Sequence, residues 1–230
     1  MGGLGVGLGV NDVPIVGEPV AFGAGFIALL VVGFSTVVGG YFYTFAHEGG
    51  HVLALVVLAR RVFGFWLYDK GQMKGLTKGN DRRLAAIFVG FAGYATPPLL
   101  GLAGAALIAA GNPWAVLLAA IVLSLLALLV ARNPLAFTIP LLVVLGLGAT
   151  LLRGSVEIQA FAAVGVVWFL LISGAAEALS FRGRKGDASN LAEWTVIVPA
   201  FVWELLWAFI ALVALIVGGQ LLLRPGYDIG

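Results

Sequence analysis

Cysteine is absent from the 230-residue chain, so neither a disulfide framework nor a thiolate metal site is possible. Histidine is nearly absent: the chain has two, His47 and His51. Any transition-metal site must therefore draw on those two rings and on carboxylates. Charge is also scarce, at 10% of residues, against about 25% in an ordinary soluble domain. Hydrophobic residues make up 61% and the mean hydropathy is +1.08. A chain this apolar cannot cover its surface with polar groups, which excludes a water-soluble monomer. Thirteen basic and eleven acidic residues leave a net charge of +2. The pI of about 9.1 rests on too few charges to indicate nucleic acid. Their positions are informative instead as membrane topology.

A spanning helix needs about 20 mainly apolar residues. Uncharged runs cover 19–46, 84–131, 133–152, 158–176 and 205–223. The run 84–131 is too long for one span, and Gly111-Asn112-Pro113 is its natural turn. The region 20–59 is broken only by Glu48. As one helix it would be roughly 60 Å long, about twice the hydrocarbon thickness. Gly39-Gly40 is the expected break. The predicted spans are 20–38, 41–59, 84–110, 114–131, 134–152, 158–180 and 192–219: seven, or six if the first does not fully cross. The fold class expected is an all-α polytopic membrane protein. Its organisation is a flexible, Gly-rich segment 1–19, one transmembrane domain 20–223 and a tail 224–230. The N-terminus lacks the basic region of a signal peptide, so no cleavage is expected.

Ten of the thirteen basic residues fall in 60–83 and 181–186. Four spans separate these loops, so both lie on one side, and the positive-inside rule makes that side cytoplasmic. Within the first loop, 62–78 reads VFGFWLYDKGQMKGLTK. Aromatic and β-branched residues lead into Asp69-Lys70-Gly71-Gln72 and a second short extended run follows, which predicts a short cytoplasmic β-hairpin. The alternative is an amphipathic interfacial loop anchored by Phe65 and Trp66.

Ionisable groups inside a membrane are costly and need a reason. His47, Glu48 and His51 sit in an apolar helix and spell HEGGH, an HExxH motif. Residues i and i+4 share a helix face, so both imidazoles can reach one metal ion. Glu48 is placed to act on a water that the metal activates, and zinc suits imidazole and carboxylate ligands. The bland alternative is a buried polar cluster joining helices. A catalytic zinc usually has three protein ligands. With no further histidine, the third is acidic, and Asp187, Glu177 and Glu204 are the candidates. Asp187 could instead cap a helix, Glu177 could snorkel, and Glu204 could tune the site from outside the ligand set.

The sequence Phe45-Ala46-His47-Glu48-Gly49-Gly50-His51-Val52-Leu53-Ala54, followed by a basic, Gly-containing extended segment, resembles the site-2 protease family of intramembrane zinc metalloproteases. Gly93-Tyr94-Ala95-Thr96-Pro97-Pro98 and Gly186-Asp187-Ala188-Ser189-Asn190-Leu191 add to the likeness, which is greatest to the small bacterial branch without accessory domains. The resemblance implies that His47 and His51 bind zinc, that Glu48 is the general acid/base, and that an Asp on a later helix, here Asp187, is the third ligand. Larger members carry that Asp in Asn-Pro-Asp-Gly or Leu-Asp-Gly. In this chain Asn112-Pro113 and Asn133-Pro134 are not followed by Asp, and Asp187 is followed by Ala.

The function expected is an intramembrane zinc metalloendopeptidase in a bacterial cytoplasmic membrane, with its site toward the cytoplasm. Its partners would be the lipid bilayer and a substrate helix of another membrane protein, with no nucleic acid; the oligomeric state is not legible. The rivals are an inactive membrane scaffold that binds helices and an ion-coupled transporter. Transporters often carry internal repeats, and none is evident here. A carboxylate within reach of both histidines separates protease from scaffold.

Overall fold

The computed structural model describes residues 18–34, 36–69, 73–79, 83–180 and 186–223. The expectations for segment 1–17, the hairpin turn 70–72, the loop residues 181–185 and the tail 224–230 lie outside the described residues. Among the described residues there are eight helices and one two-stranded sheet. In chain order they are α1 (Glu18–Phe34), α2 (Thr36–Val57), β1 (Val62–Asp69), β2 (Met73–Gly79), α3 (Arg83–Ala109), α4 (Pro113–Val130), α5 (Pro134–Arg153), α6 (Val156–Ala178), α7 (Asp187–Thr195) and α8 (Ala200–Leu222).

Five helices, α3 to α6 and α8, are long and apolar enough to cross a membrane. The pair α1–α2 is bent by 96° and supplies a sixth span when counted as one. The expected six spans are thus reached, and a separate seventh is not found among the described residues. The first break also falls earlier than expected. Helix α1 ends at Phe34, and Gly39-Gly40 lies inside the first turns of α2. Gly39 serves close approach rather than interruption: a Cβ there would lie 2.8 Å from Val31 O.

The last predicted span also divides. Residues 192–195 belong to the short α7, and α8 starts at Ala200. Pro199 cannot donate a helical hydrogen bond, and Val196 adopts a positive φ of 67°, so the helix cannot run through. The ends of α4 and α5 follow the sequence closely, with Pro113 and Pro134 at the first helical positions.

Helix α3 is the centre of the bundle and packs against α2, α6, α7 and α8. Small residues permit this. A Cβ at Gly101 would lie 2.9 Å from Leu171 side-chain atoms, and one at Gly104 would lie 2.6 Å from Val167. These glycines let α3 and α6 approach closely, as in other membrane bundles. Outward, α4, α5 and α8 expose large apolar side chains such as Leu129, Leu145 and Phe209. That surface is suited to hydrocarbon, and the chain is an integral membrane protein.

The hairpin forms as the sequence predicts. Strands β1 and β2 pair antiparallel, with Trp66 opposite Leu76 and Phe65 opposite Thr77. Phe65 and Leu67 are buried among residues of α2, α4 and α5, so Phe65 is a core residue and not an interfacial anchor. Trp66 lies on the other face, where Lys78 Nζ sits 5.5 Å from its ring centroid. The outer edge of β1 is closed. Arg132 N–H donates to Phe65 O at 3.1 Å, Leu67 N–H donates to Asn133 Oδ1 at 3.3 Å, and Asn133 Nδ2 donates to Leu67 O at 2.6 Å.

Four spans, α3 to α6, separate the hairpin from the chain before α7. Cysteines introduced as Asn80→Cys and Arg184→Cys should therefore label from the same side of an intact membrane. Because the chain has no cysteine of its own, the background is clean. Labelling from opposite sides would contradict the span count.

Candidate metal centre

The helical repeat of α2 stacks His47 and His51 one turn apart. Their Nε2 atoms lie 3.2 Å from each other. Asp187 reaches them from the first turn of α7: its Oδ2 is 3.0 Å from His47 Nε2 and 3.4 Å from His51 Nε2. Gly186 occupies the N-cap position of α7, with no side-chain capping bond, so the carboxylate of Asp187 is not spent on a cap. The three atoms thus converge on one point from two helices. Glu177 on α6 and Glu204 on α8 take no part in this cluster; the carboxylate brought to both rings is that of Asp187.

The proton arrangement favours a cation. Val89 O can only accept, so His51 Nδ1, 2.7 Å away, carries the ring proton and leaves the Nε2 lone pair directed at the cluster. For zinc–ligand bonds of about 2.0–2.1 Å in a tetrahedron, neighbouring ligand atoms are about 3.3 Å apart. The separations of 3.0, 3.2 and 3.4 Å fit that spacing. Glu48 completes the group: a carboxylate oxygen and the two imidazoles offer ligand atoms all within 4.8 Å of one another. It is 4% exposed, and Thr77 Oγ1 on β2 donates to its Oε2.

Packing holds the rings in place. Tyr94 meets His47 edge-on with centroids 4.6 Å apart, and Trp207 of α8 stacks on Tyr94 at 4.7 Å. Trp207 is itself fixed by donating to Phe91 O at 3.0 Å. This matters for His47, whose Nδ1 is buried with no hydrogen-bond partner among the described residues. Its ring is oriented by aromatic contact, whereas His51 is oriented by a carbonyl. The two glycines inside HEGGH also differ. Gly50 abuts α3, where a Cβ would sit 2.7 Å from Ala92 O, while Gly49 faces open space.

The sequence pointed to His47, Glu48 and His51 and left the third carboxylate open among Asp187, Glu177 and Glu204; the fold sets Glu48 beside the two rings and brings Asp187 to them. Sequence reasoning missed the role of Thr77, whose approach to Glu48 depends on hairpin register, and that of Val89, which acts through its backbone. Gly93 carried a signal, as a glycine on a helix expected to pack closely. A Cβ there would lie 2.5 Å from His51 Cε1, 2.6 Å from His51 Nε2 and 2.7 Å from His47 Cε1. Gly93→Ala should therefore displace both rings and lower the affinity of the candidate site for a metal ion such as zinc by about 10- to 100-fold, as loss of supporting contacts does elsewhere. Competition with a chromophoric chelator reads this directly, and an unchanged affinity would show that the rings have room to move.

A family model described as Peptidase M50B-like matches residues 20–218. Comparison with curated proteins and with solved structures found no match. The family match covers the bent helix pair, the hairpin, the His/Glu/His cluster and α7, together with most of α8. The chain belongs to the Peptidase M50B-like family, within the site-2 protease group of membrane metalloproteases.

Proposed function

We propose that this protein is an intramembrane zinc endopeptidase that cleaves transmembrane or membrane-adjacent segments of other membrane proteins. The observation that carries the reading is the approach of Asp187 Oδ2 to both histidine Nε2 atoms, at 3.0 and 3.4 Å. A competent third ligand is what a non-cleaving scaffold would not need. The same approach weighs against the transporter reading, since the acid closes a compact ligand triad.

In this reading His47, His51 and Asp187 hold the metal. When bound there, zinc would supply Lewis acidity, polarising the scissile carbonyl and lowering the pKa of an attacking water. Glu48 takes the proton from that water and delivers it to the leaving amine. Its burial keeps bulk water from competing for the carboxylate. The hairpin orients the substrate. A helical substrate hides its peptide bonds in its own hydrogen bonds and must be unwound locally. The unwound stretch can then add to a sheet edge by main-chain hydrogen bonds. The outer edge of β1 is filled by 131–133, and β2 pairs with no second strand among the described residues. The edge without a partner strand among the described residues is therefore that of β2. The basic residues of 60–83 and 181–186 support a site facing the cytoplasm, and the likeness to small bacterial members supports a bacterial cytoplasmic membrane.

Substitution separates the roles. Glu48→Gln should leave zinc bound, because it removes a base and not a ligand. Cleavage should fall by at least about 100-fold, the lower range for general acid–base catalysis. Asp187→Asn should weaken zinc and activity together, while Glu177→Gln and Glu204→Gln should leave zinc occupancy intact. Metal analysis of the purified variants checks the ligands, and mass spectrometry of transmembrane-helix peptides checks cleavage. Zinc loss from the Glu204 variant but not from the Asp187 variant would move the ligand role. Zinc binding by a wild-type protein that cuts nothing in a broad peptide screen would favour the scaffold.

A further inference from the structure

Glu48 is gripped from an element distant in the chain. Thr77 lies 29 residues on, in β2, and its hydroxyl donates to Glu48 Oε2. The same Oγ1 is 3.4 Å from the main-chain O of Glu48. A hydroxyl has one proton to give, and the shorter contact to the carboxylate takes it.

The backbone of Thr77 faces elsewhere. Phe65 O accepts from Arg132 N–H, and both main-chain groups of Leu67 bond Asn133. Phe65 and Leu67 thus direct their main-chain groups away from β2. Along an antiparallel ladder these directions alternate, and opposed residues share them. Thr77 is opposite Phe65 and Gly75 is opposite Leu67. Their N–H and C=O groups therefore face the edge of β2 that bears no further strand among the described residues. Thr77 presents its main chain to that edge and its hydroxyl to Glu48.

We infer that Thr77 is a positioning residue that aims the Glu48 carboxylate from the same strand along which a substrate would pair. The inference rests on the reading of Glu48 as the acid/base. A hydrogen bond at Oε2 fixes the rotation of the carboxylate and leaves Oε1 to exchange the proton. The hydrogen bonds of the Thr77 hydroxyl go to Glu48 and to none of His47, His51 and Asp187, so its loss should disturb proton transfer and spare the metal.

The test uses the full-length, zinc-loaded protein in liposomes and a transmembrane-helix peptide that the wild type cuts. Thr77→Val removes the hydroxyl and keeps the shape; Thr77→Ser keeps the hydroxyl. For Thr77→Val, kcat should fall by about 10- to 100-fold, the worth of one hydrogen bond to a charged group. KM should move by less than about threefold, and zinc occupancy should not change. Thr77→Ser should recover most of the lost rate. In a Glu48→Gln background Thr77→Val should cost nothing further, because the two act as one unit. Carbon-13-edited infrared spectra give a readout without turnover: Thr77→Val should shift the carboxylate band that Glu48→Gln removes. A wild-type kcat and an unshifted band in Thr77→Val would overturn the inference, as would a serine variant as impaired as the valine. Full activity of Glu48→Gln, or a wild type that cuts no peptide, would instead defeat the acid/base reading beneath it.

Discussion

Three ionisable side chains that hold one another at 3.0 to 3.4 Å inside an apolar bundle set the terms for everything around them. None of His47, His51 and Asp187 could be placed alone in hydrocarbon without a heavy desolvation cost. Their convergence requires α7 to fold back so that its first residue meets the middle of α2. It also requires α3, between them in the packing, to come unusually close. Gly93 satisfies that second requirement, because any larger residue would occupy the space of the imidazoles. The aromatic column of Tyr94, Trp207 and Phe91 then supports the site from the α8 side.

The sheet has a comparable dependence on one residue. Asn133 caps α5 by accepting from Ala136 N–H at 3.0 Å, and the same amide pairs with both main-chain groups of Leu67. One side chain thereby joins a span to a strand. It also ends the hydrogen-bond ladder on that side, so the hairpin is seated on the bundle rather than hanging from it.

Much of this was legible in the sequence, for identifiable reasons. The HEGGH spacing declares its own geometry, since i and i+4 share a helix face, and the scarcity of histidine made the pair conspicuous. The hairpin was legible because an aromatic and β-branched run led into a turn-like Asp69-Lys70-Gly71-Gln72 and a second extended run followed. The third carboxylate stayed open among Asp187, Glu177 and Glu204, because composition cannot tell which helix end folds back. The division of α7 from α8 was missed because 192–219 reads as one apolar stretch, although Pro199 sits within it. The first break was put at Gly39-Gly40 by propensity, while tertiary packing uses Gly39 to bring α2 against α1. Thr77 was illegible in principle: shifting the strands by one residue would turn its hydroxyl to the opposite face.

The closed edge of β1 bears on how such a sheet meets other chains. A free two-stranded ribbon has two sides on which an extended peptide can lie, and only one of them can be near any given reactive group. Where both are open, some encounters end on the wrong side, and the peptide must dissociate before it can react. With one side sealed by 131–133, a peptide that paired with this ribbon would be directed to β2, the strand that touches Glu48. The seal also prevents copies of the protein from stacking edge to edge through both sides of the ribbon.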